Sequence, residues 1–117
     1  MKICTWAPTV FAGSGVVDHG RSQSAAPTGE ALTNLVKGYV ERVENLGVTH
    51  LLIPQRWWGN AREIEASSLD CLAMTSYIAA VSHQLQVLTA VHPGFFEASS
   101  IAKWGATMSQ LTGGRVS

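Results

Sequence analysis

The sequence predicts an α/β fold in which parallel strands alternate with helices. Three observations carry that reading. Three apolar runs, at residues 2–7, 48–53 and 85–91, have the length and content of strands, and each is stopped by proline or by His92-Pro93-Gly94. The stretches that follow the runs place apolar residues at helical spacing. The order is therefore β-α-β-α-β-α, with Arg115-Val116-Ser117 reading as the first residues of a fourth strand. Alternation of this kind implies right-handed crossovers and a parallel sheet.

Each element has its own signal. Ile3, Cys4, Thr5 and Trp6 suit a buried pleated surface, and Pro8 stops that strand. Residues 8–28 are rich in Gly, Ser, Pro and Ala and read as one loop. A loop of about 20 residues is uncommon in a compact domain and is often functional. Over residues 30–46, Leu32, Leu35, Val36, Tyr39, Val40, Val43 and Leu46 fall on one helical face, and Gly47 ends the helix. The second strand, 48–53, is nearly all apolar and stops at Pro54. Residues 55–65 form a loop carrying both charge and aromatics. Ser67 or Ser68 caps a helix running to about Ser82, with Leu69, Leu72, Ala73, Ala80 and Val81 inward. After the third strand, Ser99 or Ser100 lies near the start of a helix that turns Ile101, Met108 and Leu111 inward and ends at Gly113-Gly114. The strands are continuous apolar runs, as expected when both sheet faces are covered.

Composition narrows the function classes. Of 117 residues, 46 % are apolar and only 14 % charged, against roughly 25 % charged in an average domain. Eight Lys+Arg balance eight Asp+Glu. A neutral surface lacks the basic stripe of a nucleic-acid binder, and the apolar content argues against disorder. Two cysteines, Cys4 and Cys71, make neither a disulfide framework nor a zinc site, and both read as buried thiols. His19, His50 and His83 show no metal spacing, so no metal is expected. The N-terminus lacks the apolar core and cleavage site of a signal peptide, and no run approaches the roughly 18 residues of a membrane span. The expected compartment is the cytoplasm.

The sheet type follows from what is missing. Neither GxGxxG nor GxxxxGK[ST] occurs, and Gly13-Ser14-Gly15 lies inside a long loop rather than at a strand-to-helix turn. The repeat is about 40 residues per βα unit, and eight such units make a (β/α)8 TIM barrel. Three units cannot close one. Residues 1–117 are therefore expected to form a single partial domain, the N-terminal part of a barrel cut short at the C-terminus, with about three βα units and the start of a fourth strand.

Several segments carry a family resemblance. Leu46 to Pro54, LGVTHLLIP, resembles the second strand LG(Y/F)xxxLIP of the bacterial luciferase-like flavin monooxygenases. Trp6-Ala7-Pro8-Thr9 resembles their (F/W)xPT strand end. Leu85 to Ser117 resembles their third strand, third helix and fourth-strand start, where the helix ends in D-x-(L/M)-(S/T)-x-G-R. Here that motif reads Ser109-Gln110-Leu111-Thr112-Gly113-Gly114-Arg115, with Ser109 in place of the acidic residue. The nearest branch is that of the alkanesulfonate and dimethylsulfone monooxygenases, together with pyrimidine oxygenases. Val10 stands where the alkanesulfonate branch has a histidine.

The resemblance implies a barrel that binds reduced FMN (FMNH2) without a covalent bond and uses O2 to oxygenate a small organic substrate, in this branch an organosulfur compound. It implies a separate NAD(P)H:flavin reductase as partner and a homo-oligomer at full length, with no nucleic acid and no membrane. The hard chemistry belongs to the flavin, and the protein positions it and keeps water out. The family's phosphate-binding residues lie beyond the fourth strand, so the isolated chain is expected to bind flavin weakly or not at all.

Candidate residues sit at the strand ends, each with a plainer alternative. Pro8 and Thr9 lie beneath the flavin or substrate, or only end a strand. Gln55 and Arg56 follow the second strand and are expected to point into the barrel mouth, where the Arg56 fork would pair with a sulfonate or sulfinate; the alternative is a solvated loop. Trp57 and Trp58 line an apolar pocket or shield the flavin, or pack on the next helix. Ser68 falls at a pocket-cysteine position of the alkanesulfonate branch, or is a cap. Asp70 orients loop groups of the substrate site, or is a favourable charge at a helix start. Thr89 and Ala90 match a small pair that in this family is often joined by a cis peptide under the flavin ring. His92 is, with Arg56, a catalytic candidate as donor to flavin or substrate, or is a loop histidine. Two other functions remain open: deazaflavin (F420)-dependent hydride transfer on the same barrel, and a non-catalytic flavoprotein-like piece.

Overall fold

The computed structural model describes residues 1–11, 27–55 and 67–117. Its elements run β1 (Cys4–Trp6), β2 (Val10–Phe11), α1 (Gly29–Asn45), β3 (His50–Pro54), β4 (Ser67–Ser68), α2 (Cys71–Val81), β5 (Gln86–Ala90) and α3 (Ala98–Thr112). The main sheet has the order β1-β3-β5, and both pairings are parallel. Val116 adds a parallel bridge to Val87. Val87 N–H donates to the Arg115 carbonyl at 2.7 Å, and Thr89 N–H to the Ser117 carbonyl at 2.8 Å. The expected fourth strand therefore starts beside the third. Among the described residues the strand order runs in one direction, as in a singly wound sheet, with none of the reversal of a doubly wound one.

The helices lie together on one face. α2 packs on β3 and β5 and touches both α1 and α3. Register lines up Leu51 with Val87 and Ile53 with Thr89, and strand alternation sends these side chains toward the helices. Leu51, Ile53 and Val87 are fully buried there, with Ile78 of α2 and Val36 and Val40 of α1. Burial of each such side chain contributes about 1.5–3 kcal/mol. The other face carries Trp6, Leu52 and Leu88 in one register row and Pro54 with Ala90 in the next. Leu52, Leu88 and Ala90 are half-buried and Trp6 is 62 % exposed. Among the described residues the expectation of two covered faces thus holds for one. Cys4, on the uncovered face of the edge strand, is exposed, whereas Cys71 is buried as expected.

Helix ends and faces depart from expectation in instructive ways. In α1, Val36, Val40 and Val43 are buried, but Leu35 and Leu46 lie at one margin of the apolar stripe and are exposed. In α2 the buried set is Cys71, Met74, Thr75, Ile78 and Ala79, while the predicted Ala73 and Ala80 are exposed. That helix is apolar nearly all round, so periodicity alone did not orient it. Its cap is Asp70, whose Oδ1 accepts from Ala73 N–H at 2.8 Å. Neither Ser67 nor Ser68 caps it, because both pair antiparallel with Phe11 and Val10 in the β2–β4 ladder. In α3, Met108 is buried and Trp104 and Ile101 partly so, but Leu111 is exposed. Gly113, at φ 64°, ends this helix in the left-handed conformation that glycine adopts without strain.

The turn between α2 and β5, at the N-terminal edge of the sheet, is held from two directions. Glu44 Oε1, from α1, accepts the backbone N–H groups of His83 (2.9 Å), Gln84 (2.8 Å) and Leu85 (3.3 Å). Arg115 donates to the Ser82 hydroxyl at 3.0 Å and to the carbonyls of Ala79 (3.0 Å) and Leu85 (3.3 Å). A cation over the last carbonyls of α2 also complements the helix dipole. These staples leave the opposite, C-terminal edge of the strands for the site.

Candidate functional site

Three strand ends and the start of α2 converge at the C-terminal edge. β1 leads into Ala7, Pro8 and Thr9, and Ala7 N–H donates to the Leu52 carbonyl at 2.9 Å. Tyr39, from α1, donates its hydroxyl to the Trp6 carbonyl at 2.5 Å and so fixes where β1 ends. Thr9 is 2 % exposed, and its carbonyl accepts from Leu69 N–H at 2.8 Å. This bond and the β2–β4 ladder bring the Pro8–Thr9 segment against the chain that enters α2 at Asp70.

Gln55 follows β3 and is 5 % exposed. Its Oε1 accepts from Cys71 N–H at 2.9 Å, so its amide is held against the first turn of α2. Asp70 is exposed and caps the same helix. Two side chains thus take two of the N–H groups that a free helix start would offer an anion. Cys71 is fully buried, and its thiol is pushed up to about 11, by burial first and by the Asp70 charge second. It is therefore largely protonated at neutral pH, the form with little nucleophilic character. Arg56, Trp57 and Trp58 lie outside the described residues.

At the end of β5 the two residues of the expected pair part company. Thr89 faces α2, where its hydroxyl meets that of Thr75 at 2.7 Å. Ala90 faces the uncovered side, in register with Pro54. The Thr89–Ala90 peptide is trans, which corrects the expected cis bond. β5 keeps its regular ladder with β3 through Ala90, and an extended trans backbone satisfies that ladder without the roughly 3–4 kcal/mol of a cis bond. His92 is exposed just beyond, its ring 6.3 Å from that of Phe95. Its carbonyl accepts from Phe95 N–H at 3.3 Å.

This geometry can be tested against a flavin. Ala90, Pro54, Leu52 and Leu88 give the edge a small, apolar, half-buried surface, which suits the face of a flat aromatic ring. Among the described residues the phosphate is not served in the same way. The α2 start is already capped, and Arg115 is bonded at the opposite edge.

The sequence profile of the luciferase-like monooxygenases matches residues 10–117. The chain belongs to that family. No curated protein matches it. Luciferase-like monooxygenases are oxidoreductases that use reduced flavin or F420, so membership points to flavin-dependent oxidoreductase activity. The three-stranded parallel sheet with its helices is compatible with part of such a fold. No helix among the described residues is long and apolar enough to cross a membrane.

Sequence reasoning located Pro8, Thr9, Gln55, Asp70, Thr89, Ala90 and His92 at one edge, and the described structure brings all seven there. It missed Thr75 and Tyr39. Thr75 had a usable signal, a hydroxyl at the 71, 74, 75, 78 spacing of an otherwise apolar face.

Proposed function

We propose that the chain supplies the first three βα units and the opening of the fourth strand of a (β/α)8 barrel that binds reduced FMN at the C-terminal edge. It would serve the O2-dependent oxygenation of a small organic substrate, of which an organosulfur compound is the favoured class. The family match over residues 10–117 carries the reading. The one-directional strand order and the apolar surface around Ala90 support it.

Each residue has a task in this reading. Ala90, with Pro8 and Thr9, holds the flavin ring, and Thr89 anchors the strand beneath it. Arg56 pairs with an anionic substrate group, while Trp57 and Trp58 close the pocket to water. Gln55 and Asp70 fix the helix that borders the substrate. His92 donates a hydrogen bond from the loop. Reduced flavin, when bound, supplies the activation of O2. An NAD(P)H-dependent flavin reductase supplies the reduced cofactor, and the full-length protein is a homo-oligomer.

FMN titrated into the 15N-labelled chain and followed by NMR tests this. Weak binding is expected, with amide shifts gathered at Thr9, Gln55, Ala90 and His92. Shifts gathered at another surface would refute the reading. Oxygen uptake with reduced FMN, set against hydride transfer from reduced F420, separates the monooxygenase from the deazaflavin alternative.

A further inference from the structure

The Thr75–Thr89 pair has no explanation in stability alone. Thr75 is fully buried in the second turn of α2, among Leu51, Ile53, Ile78 and Val87 of the core. Its hydroxyl meets that of Thr89 at 2.7 Å across the helix–sheet interface. Three other helical hydroxyls among the described residues bond a carbonyl one turn back: Ser76 to Leu72, Thr107 to Lys103 and Thr112 to Met108. Thr75 instead reaches to the strand.

Valine has the same branched shape as threonine and no polar atom to satisfy. Replacing both partners of a buried hydrogen bond by apolar groups of the same shape is nearly neutral or even stabilising. A Val–Val pair would therefore serve this core equally well. What it would not do is fix direction. The hydroxyl pair sets both side-chain rotamers and ties Thr89 to one turn of α2. The residue after Thr89 is Ala90, whose face is presented to the uncovered side of the sheet. Gln55 ties the end of β3 to the same helix, at Cys71. One helix therefore holds the ends of two adjacent strands through polar contacts, at the edge where the candidate residues gather.

We propose that Thr75 is a positioning residue, holding the Thr89–Ala90 peptide in place for the ring of a flavin; the inference rests on the flavin reading above. Its action is through Thr89, and it touches neither cofactor nor substrate. The substitution of both partners, T75V/T89V, separates positioning from folding. Urea unfolding is expected to show stability equal to the parent. In FMN titrations the initial slope of the Ala90 and Val91 amide shifts is expected to fall severalfold. Thr75→Ser keeps the hydroxyl and is expected to retain the parental slope. A T75V/T89V chain that is as stable as the parent and gives the parental slope overturns the proposal while leaving the flavin reading intact. A parent chain whose shifts gather at another surface overturns the flavin reading and the proposal with it. If T75V/T89V is strongly destabilised, the pair is a folding device and the proposal also falls.

Discussion

Glu44→Gln is the sharpest probe of how successive units are joined. The carboxylate accepts three backbone N–H groups from the turn that opens β5. The amide keeps one carbonyl acceptor and loses the charge. Hydrogen bonds to a charged group are worth about 1.5–3 kcal/mol, against about 0.5–1.5 kcal/mol for neutral ones. Glu44 is only half-buried, so water competes for it and the lower end applies. A loss of about 1 kcal/mol is expected for Glu44→Gln. Burial pushes this carboxyl up from 4.5, but the N–H groups of Gln84, His83 and Leu85 and the His83 charge outweigh burial and hold it lower. A folded-state value below the unfolded one means that the folded chain binds fewer protons in that range. The carboxylate's stabilisation is therefore complete above the unfolded value and is lost as pH falls through the folded one. Urea unfolding followed by circular dichroism, at neutral pH and at successively lower pH below the ordinary carboxyl range, checks this. The parent should be the more stable at neutral pH, and the difference should shrink with acid. Equal stabilities at neutral pH, or a difference that acid leaves unchanged, would refute the reasoning.

Three other outcomes follow from contacts described above. Cys4 should react quickly with a thiol reagent in the folded chain, while Cys71, buried with its thiol pushed up to about 11, should react only at the rate of unfolding. Tyr39→Phe removes the bond to the Trp6 carbonyl and should cost about 1 kcal/mol in urea unfolding, with a change in tryptophan emission as the end of β1 loosens. Arg115→Lys should be nearly as harmful as Arg115→Met, about 1–2 kcal/mol, because an ammonium cannot reach Ser82, Ala79 and Leu85 from one planar fork; full rescue by lysine would count against that account.

Legibility in the sequence followed the strength of the local signal. β3 was plain, because a nearly continuous apolar run bounded by Gly47 and Pro54 has few other uses. α1 was plain because its apolar positions repeat over four turns, although the margins of that stripe, Leu35 and Leu46, came out exposed. α2 was found but not oriented: a helix apolar on every side carries no directional message, and only contact with β3 and β5 chooses its face. Its start was misplaced because Ser67 and Ser68 are good caps in isolation, and a long-range pairing with Val10 and Phe11 claimed them first. The site edge was legible for a topological reason, since chain order alone sends 8–9, 55 and 89–92 to one side of a parallel sheet. The commitment of Gln55 to Cys71 and of Thr89 to Thr75 was not, because both join residues 14 or 16 positions apart through side-chain rotamers that no local pattern encodes.

The outer border of β1 has a consequence for handling the protein. Among the described residues β1 is the edge strand of the main sheet, and exposed Ile3, Cys4 and Trp6 accompany its outer border. Such borders template pairing between chains, so losses to aggregation on refolding should climb with protein concentration. The danger is limited by size: β1 has three residues, and Lys2 places a charge just before it. A short, charged border is a natural brake on edge-to-edge growth. Substituting Lys2 with an apolar residue would extend the sticky segment backward by one position, and turbidity during refolding would register the change before any loss of native stability did.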